Sequence, residues 1–367
     1  MLGCFVALSV AGCGGSDKHA KSAANEADRP LDMEVPPEPD RAKLAQAVRA
    51  MDDGTPERAI GVLKDILSRH PENGIVLHEL ALAYRMVSRP EKTVEVLMPY
   101  RRRVEAVTLA NLGSALDELG RRAEAEAVLR DGLKRFPRSG LLHSELATTL
   151  GNAGKLEQAL QLYQRGIEVE PDVPANYLHL ARITAASDHR GLALVFGETF
   201  RLLEPGSPRS AEMAKLMVRV CDEAVELNNT GPGKDATGKV MLAPALVVER
   251  PEQTQKLPLV NVIELAFGPG LILAHRDGLS LASLHRARVA FVDVMNKPDS
   301  PLDWNAVPVF RWIREVNKAG HLEAYDYWLY GPAFPEEMTK WAKANPAAMD
   351  EMIRYATHHP LFPGRQH

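Results

Sequence analysis

Histidines recur in the last third of the chain, and five of them, His275, His285, His321, His358 and His359, are the residue type from which a metal site or a general base is made, with Asp277 and Glu323 near them. Their spacing does not develop that chemistry. No H-E-x-x-H occurs, His321-Leu322-Glu323 has no cysteine pair to complete a zinc site, and no G-x-S-x-G elbow presents a serine. Gly233 to Lys239 fits the G-x-x-x-x-G-K spacing with which a loop cradles phosphates, but Val240 follows where a hydroxyl must hold magnesium. That loop also follows a helical pattern and not a strand, so it reads as an interdomain linker. Cys4, Cys13 and Cys221 form no C-x-x-C pair, which excludes a thiolate zinc site, a redox motif and a disulfide framework. Cys221 lies in a helical apolar pattern and reads as a small buried hydrophobe. A formal charge of −4 points to neither nucleic acid nor an acidic substrate. The residues thus name no catalytic group, no metal, no cofactor and no nucleotide.

The cysteine at position 13 carries a different chemistry. Met1 to Gly12 is apolar and rich in small residues, and it ends in Val10-Ala11-Gly12-Cys13. This ending resembles the lipobox of bacterial lipoproteins, which implies cleavage before Cys13 and lipidation of its thiol. About a dozen apolar residues are too few to span a bilayer. No Lys or Arg precedes Cys13, as a true start further upstream would explain. Gly14, and not an aspartate, follows the cysteine, so the resemblance implies an outer-membrane anchor with the protein facing the periplasm. Residues 14–39 are polar and contain Pro36-Pro37-Glu38-Pro39, a composition expected of a disordered linker.

Past the linker, Pro71, Pro137, Pro171 and Pro205 fall 34 or 66 residues apart. A fixed period near 34 residues marks a helical repeat array. Aligned on those prolines the chain divides into five units, 40–73, 74–105, 106–139, 140–173 and 174–207. Small residues recur at one place (Ala59, Ala125, Ala159, Ala193), and a Leu–small pair recurs earlier (Leu80-Ala81, Leu112-Gly113, Leu146-Ala147, Leu180-Ala181). Leu109, Leu112 and Leu116 share one helical face, Gly120 breaks the chain, and Pro137 ends the second helix of that unit. Unit two is two residues short, unit one resembles a capping repeat, and unit five has Gly197 where a large residue is usual.

These features resemble the tetratricopeptide repeat family, and the resemblance implies an all-α fold: a superhelix of about five helix-turn-helix units plus a capping helix at 208–229. In that family the second, fifth, ninth, twelfth and thirteenth places of the first helix line a concave groove that binds a protein or peptide. Carried onto this chain, the groove comprises Ile75, His78, Leu82, Arg85 and Met86, then Ser114 and Asp117, then Ser144, Thr148 and Asn152, and finally Leu178 and Arg182. Family members that clamp a C-terminal carboxylate place Lys and Asn at the fifth and ninth places. His78, Ala110, Ser144 and Leu178 are not lysines, and Leu82, Ser114, Thr148 and Arg182 are not asparagines, so that ligand class is not expected.

The remainder divides into a loop at 230–256 and a mostly helical domain at 257–367. Leu257 to Ala274 is apolar but broken by Gly268-Pro269-Gly270, too short on each side to cross a membrane. Trp304, Phe310, Trp312, Tyr325, Tyr327, Trp328, Tyr330, Phe334 and Trp341 fall within 38 residues. Such rings stack on sugars or peptides, or fill a small helical core, and core is expected for most of them. The expectation is a lipid-anchored scaffold that joins proteins in the cell envelope. An enzyme or cell-wall-binding site among the aromatic and histidine residues of the C-terminal domain is the alternative.

Overall fold

The structure, a computed structural model, describes residues 29–187, 190–230, 278–297, 304 and 307–363. Cys13, the glycine-rich loop after Thr230, the apolar run 257–274 and His275 lie outside them. Among the described residues the chain is all-α. It forms four helix pairs, α1 (Asp40–Asp52) with α2 (Pro56–Arg69), α3 (Gly74–Met86) with α4 (Pro90–Leu97), α5 (Ala106–Glu118) with α6 (Arg122–Arg135), and α7 (Gly140–Asn152) with α8 (Leu156–Val169). A fifth pair follows, α9 (Pro174–Ala185) with α10 (Arg190–Leu203), then the long α11 (Pro208–Thr230). Beyond the undescribed stretch come α12 (Leu281–Met295), α13 (Pro308–Lys318), α14 (Leu322–Tyr330), α15 (Pro335–Ala344) and α16 (Ala348–His358). Two compact units divide between Pro171 and Asp172, so the fifth pair falls in the second unit together with the C-terminal helices.

In the first unit one turn recurs four times. Gly54, Gly120 and Gly154 take left-handed φ angles of 74°, 73° and 79°, and Ser88 takes 54° at the matching place. The next residue in each case, Thr55, Arg89, Arg121 or Lys155, donates its backbone N–H to the carbonyl five residues back at 2.8–2.9 Å. This is the helix-ending turn that glycine permits, since a Cβ is disfavoured at such φ. Pro56 and Pro90 then start α2 and α4, where a missing N–H costs nothing.

What lets the two helices of a pair close is a side chain kept small. A Cβ at Gly113 would lie 2.5 Å from Cδ2 of Leu129, so α5 and α6 meet backbone to side chain there. Ala81 and Ala147 hold the corresponding places, and Ala59, Ala125 and Ala159 are fully buried on the second helices. Unit two has Thr93 in place of that alanine, and its hydroxyl donates to the Ala81 carbonyl at 3.2 Å. The same unit is short because α4 stops at Leu97 and passes into a tight turn at Met98–Tyr100 that contains Pro99.

Residues 29–39, placed by composition in the linker, are held on the array. Asp32 bridges Asn73 in parallel, with Asp32 N–H to Glu72 O at 3.1 Å and Gly74 N–H to Asp32 O at 2.7 Å. Asn73 Nδ2 donates to Glu34 O at 2.8 Å while its Oδ1 caps α3 through Val76 N–H, so one buried amide serves two segments. Leu31 is buried, and a side chain at Gly74 would collide with Met33 and Leu31.

The second unit uses the same turn for other ends. Gly320 at φ 79° closes α13 on α14, with His321 N–H reaching Val316 O at 3.1 Å. Ile313 and Tyr325 occupy the places that are small in the repeats, and both are fully buried. Phe291, Trp304 and Phe310 pack edge to face at 5.5–5.7 Å. Gly197 on α10 admits α11, since a Cβ there would stand 2.9 Å from Met217 and 3.0 Å from Met213. Across α10, α12 and α14 runs a buried polar chain. Arg288 donates to Glu198 Oε2 at 3.0 Å and to Asp326 Oδ1 at 3.2 Å, Tyr325 donates to Glu198 Oε1 at 2.6 Å, and His285 Nδ1 lies 2.8 Å from Asp326 Oδ2.

Two outcomes follow from these contacts. Ser88→Gly relieves a left-handed serine and raises stability by about 0.5–1 kcal/mol in chemical denaturation. Arg288→Met leaves Glu198 and Asp326 without their cation in the interior and costs about 3–5 kcal/mol; a loss below roughly 1 kcal/mol contradicts this account of the network.

Candidate functional site

Helices α3, α5 and α7 are successive first helices of the repeats and pack side by side in the first unit. Their polar residues connect across the row. Arg85 on α3 donates to Asn111 Oδ1 and, at 3.3 Å, to Ser114 Oγ, and its guanidinium stands 3.9 Å from Glu118 on α5. Asp117 on α5 accepts from Asn152 Nδ2 on α7 at 2.5 Å and lies 3.5 Å from Arg122. The twelfth residue of one unit therefore reaches the next unit twice, once as a cation and once as an anion.

The structure distributes the expected groove residues unevenly. Arg85, Ser114, Asp117 and Asn152 come together as described. Met86 is 46% exposed and Val107, on the same row, 44%. Leu82 and Ile75 are half-buried. Thr148 is also half-buried and bonds to Tyr163 Oη at 2.9 Å. The fifth place lies lower than expected. His78 turns its Nδ1 to Thr108 on α5 at 3.1 Å, and burial lowers its pKa. Ser144 and Leu178 are buried to 1% and 2% exposure, so both belong to the interior and neither offers a surface for a partner. Leu178 and Arg182 lie on α9 in the second unit, where Arg182 is exposed.

Two members escaped the sequence reading, Asn111 and Glu145, at the sixth place of their units. That place lies three residues before the ninth and seven before the thirteenth, on one helical face with both. The spacing was sufficient to find them. Burial raises the Glu145 pKa to about 7, with Arg85 opposing and Glu118 and Asp117 adding to the rise, while Ser114 bonds to its carboxyl. Near neutral pH this face thus carries a carboxyl close to its titration point beside a fixed cation.

In the second unit the histidines separate. His285 meets Asp326, whose other oxygen is taken by Arg288. His321 packs against Tyr355 at 5.3 Å, and His358 and His359 direct Nδ1 to the carbonyls of Arg354 and Tyr355. Among the described residues no cluster of metal-binding side chains occurs. Trp304, Phe310, Trp312, Tyr325, Tyr327 and Tyr330 are buried, so core filling accounts for most of the aromatic density. No helix of the described residues is long and apolar enough to cross a membrane.

Raised pKa and fold together fix a sign. Between about pH 4.5 and 7 the folded chain binds more protons at Glu145 than the unfolded chain, so this carboxyl lowers stability as pH rises through that window. Glu145→Gln therefore matches the parent near pH 5 and exceeds it near pH 8 by about 1–2 kcal/mol. A difference that stays constant across this range contradicts the assignment.

Comparison with known proteins gives matches to part of the chain. The tetratricopeptide repeat family matches residues 111–176. Protein FlbA of Caulobacter vibrioides is 28% identical over 169 residues, which are 45% of this chain and 28% of FlbA. The chain thus spans little more than a quarter of that relative. Among solved structures, PilW, titled a widely conserved type IV pilus biogenesis factor, aligns at 18% identity over 53% of this chain and 94% of its own, with a TM-score of 0.41. PilF of Pseudomonas aeruginosa aligns at 18% identity over 53% of this chain and 92% of its own, with a TM-score of 0.41. The match covers residues 111–176, and the helix pairs of α1 to α4 show the same turn and small-residue contact as the pairs inside it.

Proposed function

We propose that this chain is a non-enzymatic scaffold whose first-helix row in the first unit holds a segment of a protein partner in the cell envelope. One observation carries the reading: Arg85 is paired with Ser114 and Glu118, and Asp117 with Asn152, while Glu118 and Asn152 stay exposed and Met86 and Val107 are exposed on the same row. Paired polar heads flanked by apolar surface suit an extended peptide or an amphipathic helix, whose own polar groups exchange with those pairs. Lipidation at Cys13 then ties the scaffold to the outer membrane, facing the periplasm. Neither a cofactor nor a nucleotide enters this function.

Crosslinking in cells followed by affinity purification of the full chain tests the groove. Leu82→Ser with Arg85→Glu lowers recovery of the partner at least about ten-fold, which corresponds to the 1.4 kcal/mol or more that an interface anchor contributes. Retention of every partner by a variant with unchanged thermal unfolding refutes the groove. Labelling with radioactive palmitate checks the anchor separately, and Cys13→Ser abolishes it.

A further inference from the structure

The loop edge of the first unit gathers cations from three separate stretches. Arg101, Arg102 and Arg103 form the turn before α5, while Lys134 and Arg135 end α6 and Arg138 follows in the next loop. Arg135 fastens the two stretches together, donating to Arg101 O at 3.1 Å and to Val104 O at 2.8 Å. Its guanidinium also lies 4.8 Å over the Phe136 ring. Arg103 Nε donates to Arg29 O at 2.6 Å, which brings a seventh cation to the same edge. Against these stand the exposed Asp32 and Glu34, which the same leader brings to Glu72 and Asn73, and three further carboxylates. Glu72 is held by Arg103 at 2.8 Å, Asp131 by Lys134 at 2.8 Å, and Glu105 is exposed. A chain whose formal charge is −4 thus concentrates positive charge on one edge.

We infer that this edge is a docking surface for the anionic phospholipid headgroups of a membrane. Its position favours that occupant over an acidic protein. The leader joins the folded unit here, through Arg29 and the Asp32–Asn73 bridge. Fifteen residues separate Cys13 from Arg29, and a chain of that length reaches at most about 55 Å. An anchor at Cys13 therefore lets this edge come down on the bilayer without a long loop of chain. Surface potential acts within a Debye length of about 8 Å, so a cationic edge held there adds a second attachment to the lipid one. Guanidinium groups suit the task because their forked donors match phosphate oxygens. Docking by this edge leaves the polar row of α3, α5 and α7 to the partner.

The inference rests on the proposed anchor, and its test is read without the lipid. The full chain with Cys13→Ser is sedimented with vesicles of zwitterionic phospholipid alone or with about 30% phosphatidylglycerol. The expected result is binding that requires phosphatidylglycerol and is lost in about 0.5 M salt. Arg101→Glu, Arg102→Glu and Arg138→Glu together then weaken it at least about five-fold. The corresponding glutamine set, which adds no new charge, gives the same direction should the glutamate set unfold. Equal sedimentation with both vesicle types, or undiminished binding by the folded variants, overturns the proposal. Failure of the anchor reads out instead as absence of palmitate on the parent chain, which leaves the vesicle result standing.

Discussion

Two repeat helices of about a dozen residues joined by a three-residue turn close on one another where one of them keeps its side chain small. That requirement governs the first unit. Gly113 receives Leu129, alanines serve the same contact in the flanking pairs, and a left-handed residue closes each turn. Neither feature suffices alone, because the turn sets the angle at which the helices meet and the small residue sets the depth. Where one is relaxed the other persists: unit two keeps its small Ala81 while Ser88 accepts the backbone angle that glycine takes elsewhere.

The second unit shows what the turn permits when the small residue is absent. Gly320 makes the same connection between α13 and α14, but Ile313 and Tyr325 fill the contact. The pair cannot stack as a repeat, and its bulk is used to assemble a core with Phe291, Trp304 and Trp312. Such a core must also neutralise Glu198, which sits on α10 at 1% exposure, and Arg288 supplies the charge. Tyr325 is at once the residue that departs from the repeat and the one that bonds to Glu198.

Much of the first unit was legible in its sequence because the repeat reports the same contact several times. Periodicity located the helix pairs, the small residues and the row on α3, α5 and α7. It did not show that His78 would turn to Thr108, nor that Ser144 and Leu178 would be buried, since a position's depth depends on the neighbouring helix and not on its own spacing. Polar composition hid the docking of residues 29–39, whose contacts are largely backbone hydrogen bonds to Glu72 and Gly74 and carry no compositional mark. In the second unit each ion pair occurs once, and residues 90 positions apart such as Glu198 and Arg288 leave no pattern to read.

The docked leader also decides where a mechanical pull enters the protein. Tension applied to the chain ahead of Arg29 arrives first at Arg103, Glu72 and Gly74, at the loops preceding α3 and α5. The stretch from Glu34 to Asp40 stays slack until those bonds part. Helix α1, first in sequence, is thus second in line for force, and the array is gripped at the two ends of its second repeat.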